Sequence, residues 1–262
     1  MGEVAKINEK ELNDISTRTG FNPSLILKDY YITLILYLIK EVGGIYFKGG
    51  TALQKMLLNY ARISEDIDFT LTRELSSVKK EIFDILTGIN LFDKITEDKN
   101  VEGFTRMIAH YKDFLGNTGM VFIDLNQRGK LLTKPENHEL AHFYKEHIPK
   151  FSFNTLSKEE MIAEKMAAAI GRNKPRDHFD LYMILKKNYD INLSLVKKKC
   201  EQSGDEFNII KMFNKAKKLK NKWDTDMVGL ISEQITFQEV ITSLARHFKL
   251  KEEKERLKDK KK

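Results

Sequence analysis

A glycine pair, Gly49-Gly50, is followed after fifteen residues by two aspartates on alternate positions, Asp66 and Asp68. Glycines let backbone amides come close to a phosphate, and successive amides in such a turn form an anion-binding concavity. On a strand, Asp66 and Asp68 leave the same face, where two carboxylates offer hard oxygen ligands to a divalent cation. Transferring a nucleotide needs this combination, because two ions about 4 Å apart must bridge the attacking oxygen and the polyphosphate. Asp124, in the apolar run Val121-Phe-Ile-Asp-Leu125, is the candidate third ligand. An unpaired carboxylate there would be costly, so hydrogen bonding in a structural role is the alternative for Asp124. Thr51 adds a hydroxyl beside the glycines, and Ser64 precedes Asp66 by two residues. A plain tight turn is the alternative for Gly49-Gly50.

The elements that must position these residues can be read from periodicity. Residues 9–20 and 24–42 have helical spacing, and Gly43-Gly44 closes the second segment. Ile45 to Lys48 reads as a short strand and Thr51 to Tyr60 as a helix that starts at the glycines, so its positive end would face an anion. Asp66 to Leu71 is a second strand, and Ser77 to Gly88 a helix. Strands follow near 92–97, 104–111 and 119–125. Ser157-Lys-Glu-Glu160 has capping-box spacing and opens a helix from Glu159 to Gly171. A break at Asn173-Lys-Pro175 leads to a helix over 177–187, and everything beyond Leu193 is helical in pattern. The expected fold is α+β: a mixed sheet flanked by helices over residues 1–150, then a C-terminal helical bundle over 151–262.

The chain has 262 residues, 41% of them hydrophobic, enough for one large domain or two moderate ones. One cysteine, Cys200, forms no internal disulfide, which suits a reducing compartment. The longest apolar stretch, Tyr30 to Ile39, is too short to span a bilayer, and residues 1–10 lack the apolar run of a signal peptide. A cytoplasmic protein without membrane attachment is expected. The net charge of +7 is uneven: residues 1–196 balance at 27 basic and 27 acidic, whereas 197–222 carry nine basic against three. The tail from Lys249 adds eight basic against four acidic. Such a C-terminal quarter could steer a polyanion, and a solvated helix face plus a frayed tail is the alternative.

Lys165 lies one turn after Met161 and Ile162, on or beside an apolar face, where anionic company best accounts for it. A salt bridge to a carboxylate such as Asp180 would satisfy it equally. Asp177 follows Pro175-Arg176 and could cap its helix, whereas Asp180 lies too deep to do so. Arg172 and Arg176 could bind phosphate or simply be exposed. His138-Glu139-Leu-Ala-His142 matches a zinc-protease pattern, with Glu160 or Glu164 as third ligand and Glu139 as base if the segment is helical. Its polar surroundings favour surface histidines instead.

Phe47-Lys-Gly-Gly-Thr-Ala-Leu53 followed by Arg62-Ile-Ser-Glu-Asp-Ile-Asp-Phe69 resembles the core motif of the AbiEii/AbiGii-type nucleotidyltransferase toxins. Leu27-Lys-Asp-Tyr-Tyr31 is similar to that family's N-terminal helix motif. Met161-Ile-Ala-Glu-Lys-Met166 and Arg172-Asn-Lys-Pro-Arg-Asp-His-Phe-Asp-Leu-Tyr182 are similar to its later motifs. The resemblance implies an Mg²⁺- or Mn²⁺-dependent enzyme that moves NMP from an NTP to an acceptor hydroxyl. In it, Gly49, Gly50, Thr51, Ser64 and Lys165 would bind the nucleotide, and Asp66, Asp68 and Asp124 the metal. Asp180 would be the last active-site acid, orienting Lys165 or the acceptor. The resemblance further implies a toxin of a toxin–antitoxin or phage-defence system, with an antitoxin encoded nearby and RNA, at the tRNA 3′ end, as acceptor. For Lys28 and Asp29 a solvated helix turn stands beside an active-site role. A non-catalytic nucleotide- or RNA-binding module of the same fold is the alternative function.

Overall fold

A computed structural model describes residues 6–259; the first five residues and Lys260, Lys261 and Lys262 of the basic tail lie outside it. The chain forms two compact units that divide between Ser157 and Lys158.

The first unit opens with α1 (Glu9–Thr19), started by a capping box in which Asn8 and Glu11 bond each other's backbone amides. α2 (Pro23–Leu38) begins at the Asn22 cap with proline at its first position and is apolar almost all round. A helix of that kind belongs inside, and Ile26, Tyr30, Ile32, Leu34, Ile35 and Leu36 are fully buried. It ends a turn before the glycines expected to close it. β1 (Ile45–Lys48) then runs directly into α3 (Gly49–Leu53).

The helix anticipated to run to Tyr60 instead widens into a π-helical turn, Gln54–Leu58, stopped by Asn59 and Tyr60 with left-handed φ of 50° and 55°. Such turns are commonly found at functional or constrained sites. Next come β2 (Asp66–Leu71), α4 (Leu75–Thr87), β3 (Lys94–Val101), β4 (Phe104–Lys112) and β5 (Thr118–Asn126). Two short strands, β6 (Glu136–Glu139) and β7 (Ser152–Thr155), complete the unit.

All seven strands form one mixed sheet in the order β3-β4-β5-β2-β1-β7-β6. β2 pairs parallel with β5 and β1 parallel with β7, while the remaining pairs are antiparallel. Strict alternation gives the central strands two distinct faces. Ile67, Phe69, Met107, Ala109, Ile123 and Leu125 are buried on the core face, whereas Asp66, Asp68, Arg106 and Asp124 lie half-buried on the other.

The second unit is helical: α5 (Lys158–Gly171), α6 (Pro175–Lys186), α7 (Leu193–Gln202), α8 (Lys211–Asn214), α9 (Ala216–Met227), α10 (Phe237–His247) and α11 (Leu250–Asp259). Met161, Ile162, Met166, Phe179, Leu181, Val196, Trp223 and Val240 supply its core. No helix among the described residues is long and apolar enough to cross a membrane.

Candidate active site

Charged residues form a row across the face of the sheet opposite the buried Ile67, Phe69 and Ile123. Asp68 on β2 faces Lys48 on β1 and Asp124 on β5, and Asp124 faces Arg106 on β4. Residues paired in register share a face, so this row and Asp66, two positions before Asp68, stand on one surface. Burial raises the pKa of Asp66, and the neighbouring carboxylates Glu65 and Asp124 raise it further, while the charges of Lys28 and Arg106 lower it. A carboxylate in that setting is short of positive charge.

The glycine pair is shaped around this row. Gly49 has φ of +76°, a left-handed conformation, and a Cβ there would fall 2.2 Å from Asp68 Oδ2. A Cβ on Gly50 would meet Arg62 Nη2 at 2.8 Å and Ser64 Oγ at 2.9 Å. Both glycines therefore allow polar side chains to press against the backbone. Thr51 is buried, and its hydroxyl donates to the Asp66 carbonyl at 2.5 Å, tying α3 to β2. Ser64 lies just ahead of β2 rather than within it. Lys28 joins this neighbourhood through an ion pair with Glu65 at 3.3 Å.

Asp124 is engaged in a way the strand pattern left open. Both of its oxygens accept from Arg106, from Nε and Nη2 at 2.7 Å each. Arg106 did not figure among the sequence candidates. The available signal was alternation in β4, which puts Arg106, Ile108 and His110 on the face opposite the buried Met107 and Ala109.

In the second unit, Lys165 reaches Asp180 Oδ2 at 2.9 Å and Asp177 Oδ1 at 3.1 Å, with all three residues buried. Arg172 closes the cluster with two bonds to Asp177, at 2.8 and 2.7 Å. Asp177 does not cap its helix: Lys174 holds the cap position, because Pro175 starts the helix earlier than spacing suggested. Burial alone would raise the Asp177 pKa, but Lys165 and Arg172 outweigh it and hold the carboxyl well below the usual range.

The zinc-protease pattern does not assemble. His138 and Glu139 lie on β6, not on a helix, and pair with Glu136 at 2.7 Å and Lys150 at 3.3 Å. His142 follows the strand and its Nδ1 accepts from the Tyr144 amide. Glu160 and Glu164, the proposed third ligands, contact Lys199 at 2.6 and 3.5 Å. Asp29 likewise is no solvated residue. It is buried against Lys55 at 2.8 Å, and the hydroxyls of Tyr60 and Tyr144 donate to it at 2.9 and 3.0 Å.

Among the described residues no three His, Cys, Asp or Glu side chains are grouped to hold a metal ion. Two carboxylates on one strand face do fit Mg²⁺, which is commonly held by one or two carboxylates together with substrate phosphates and water.

The same fold occurs in solved structures. JHP933 from Helicobacter pylori superposes with a TM-score of 0.58 at 18% identity, over 98% of this chain and 100% of that one. MenT4, a nucleotidyltransferase toxin from Mycobacterium tuberculosis, superposes with a TM-score of 0.59 at 18% identity, over 84% of this chain and 73% of that one. The sequence decides the family. Residues 42–243 match the profile of the nucleotidyl transferase AbiEii toxins of type IV toxin–antitoxin systems, and the chain belongs to that family. No relative is found among curated protein sequences.

Proposed function

We propose that the chain transfers NMP from an NTP to a hydroxyl of an RNA acceptor, at the 3′ end of tRNA, and that this arrests growth unless a cognate antitoxin opposes it. The observation that carries the reading is the fit of Gly49 against Asp68, with Asp66 beside it on the same sheet face. A phosphate cradle and two hard oxygen ligands stand within one short stretch of chain.

Asp66 and Asp68 would hold Mg²⁺ or Mn²⁺, which when bound lowers the pKa of the acceptor hydroxyl and offsets charge on the phosphates. The backbone amides at Gly49, Gly50 and Thr51 bind the triphosphate, and Ser64 orients it. The acceptor oxygen bonds to the α-phosphorus as the bond to the bridging oxygen breaks; pyrophosphate leaves with that electron pair and the hydroxyl proton passes to solvent. Lys165, oriented by Asp180, is assigned to the nucleotide phosphates on its place in the family motif. The lysine-rich α9, with Lys217, Lys218, Lys220 and Lys222, supports a polyanionic acceptor.

The test is label transfer from each NTP to tRNA in Mg²⁺, beside an Asp66→Ala/Asp68→Ala variant. Transfer is expected with the wild-type protein and a loss of at least about a thousandfold with the variant. Transfer that persists without both aspartates would exclude the assigned chemistry, and labelling of protein instead of RNA would change the acceptor.

A further inference from the structure

We infer that Arg106 is a phosphate-binding residue of this site, held in place by Asp124, and that Asp124 serves it rather than a metal ion. The inference rests on the nucleotide reading of the sheet face. Arg106 and Asp124 are in register on adjacent strands, one step along the row from Asp68. Their contact is a fork on a carboxylate, with Nε on Oδ1 and Nη2 on Oδ2 at 2.7 Å each. That geometry fixes the plane of the guanidinium, and the Phe122 ring, 5.0 Å from Cζ, supports one side of it. The third nitrogen, Nη1, takes no part in the two bonds, and the side chain is 32% exposed.

A guanidinium carries five N–H donors in a rigid fork, so two bonds to Asp124 leave donors for a second anion. Arg106 and Asp66 stand on the same sheet face, on the strands either side of β5, with Asp66 in register with Phe122, two residues before Asp124. An anion received between them meets an oriented donor edge on one side and the proposed metal carboxylates on the other. The shared chemistry is a phosphate oxygen, and its source is the triphosphate or the phosphodiester of the acceptor. The fork takes one lone pair on each Asp124 oxygen, and among the described residues Asp66, Asp68 and Asp124 are not grouped to hold one ion together, which leaves Asp124 its role towards Arg106.

Binding without turnover separates these possibilities. The full chain is titrated calorimetrically with α,β-methylene NTP analogues in Mn²⁺ and, separately, with a tRNA transcript; Mn²⁺ alone is titrated by electron paramagnetic resonance. Arg106→Gln and Asp124→Asn are each expected to weaken one phosphate ligand about ten- to a hundredfold, and Arg106→Lys less, with Mn²⁺ affinity unchanged. Weakening confined to the analogue identifies the triphosphate, and weakening confined to tRNA identifies the acceptor backbone. If the wild-type protein binds both and Arg106→Gln binds them equally well, the inference fails while the nucleotide reading stands. Loss of Mn²⁺ affinity in Asp124→Asn overturns it by making Asp124 a metal ligand. A wild-type protein that binds neither ligand overturns the nucleotide reading and this inference together. Thermal melting without ligands reveals a variant whose only defect is stability, an outcome that returns Arg106 to a structural role.

Discussion

Gly49 and Asp68 occupy each other's space so closely that one added carbon on the glycine would lie 2.2 Å from the carboxylate oxygen. Gly49→Ala must therefore displace Asp68 as well as strain a backbone with φ of +76°. Label transfer is expected to fall by about a hundredfold, the scale of a displacement near 1 Å. Gly116→Ala is the matched control, because its φ is +82° and nothing lies within 4 Å of its Cβ. It should lose stability through the same strain and keep its activity. Equal activity losses in the two variants would break the link to Asp68.

Lys165 pairs with two fully buried carboxylates, so replacing it acts on stability as well as on the nucleotide binding proposed for it. Lys165→Met leaves Asp177 only Arg172 and removes the lysine from Asp180. The cost should be about 3–5 kcal/mol, measured by urea unfolding. Lys165→Met/Asp180→Asn should recover part of it, since the second change removes the buried charge that the first exposes. If the single variant unfolds like the wild type, the ion pairs contribute no stability.

The buried pair Asp29–Lys55 makes a parallel case on the other unit. Burial pulls the Lys55 pKa down while Asp29 pulls it up, with burial the stronger influence. Asp29→Asn should therefore destabilise by about 3–5 kcal/mol and push Lys55 further towards its neutral form. Asp29→Asn/Lys55→Met should be the more stable of the two variants. An Asp29→Asn protein as stable as the wild type would show that Lys55 is already neutral.

His142 predicts how stability depends on acidity. Burial, with the charge of Lys55 adding to it, lowers its pKa to about 4 from the ordinary 6.5 of a histidine. The folded state then resists a proton that the unfolded chain accepts. Stability is fully present above about 6.5 and declines as pH falls from there towards 4. Asp177, whose pKa is depressed in the fold, contributes a further loss once pH drops below the ordinary carboxylate range. Urea midpoints at several pH values should show the first decline, and His142→Gln should flatten it. A variant with an unchanged profile would place the acid sensitivity elsewhere.

Local pattern alone specified much of this molecule. β1 and β2 have the bounds read from alternation, and β4, β5 and α5 lie within a residue or two of theirs. Strand alternation and helical spacing are properties of neighbours in the chain, so Asp66 and Asp68 had to share a face wherever β2 was placed. β6 and β7 escaped notice because each has four residues and is held by partners far away, β7 lying parallel to β1. The same dependence on distant partners turned a helical zinc pattern into a strand.

What the sequence by itself determined was the family and which residues are candidates for its chemistry: the glycine pair, the two aspartates, and a lysine and an aspartate on later helices. Only the tertiary structure decided what each one touches. Asp124 meets Arg106 because β4 and β5 pair in one register, and Asp29 meets Lys55 because a π-helical turn lies against α2. The physical reason is that a carboxylate's role depends on which cations surround it and how much water remains. Those are fixed by pairings between segments tens of residues apart, which no local spacing encodes.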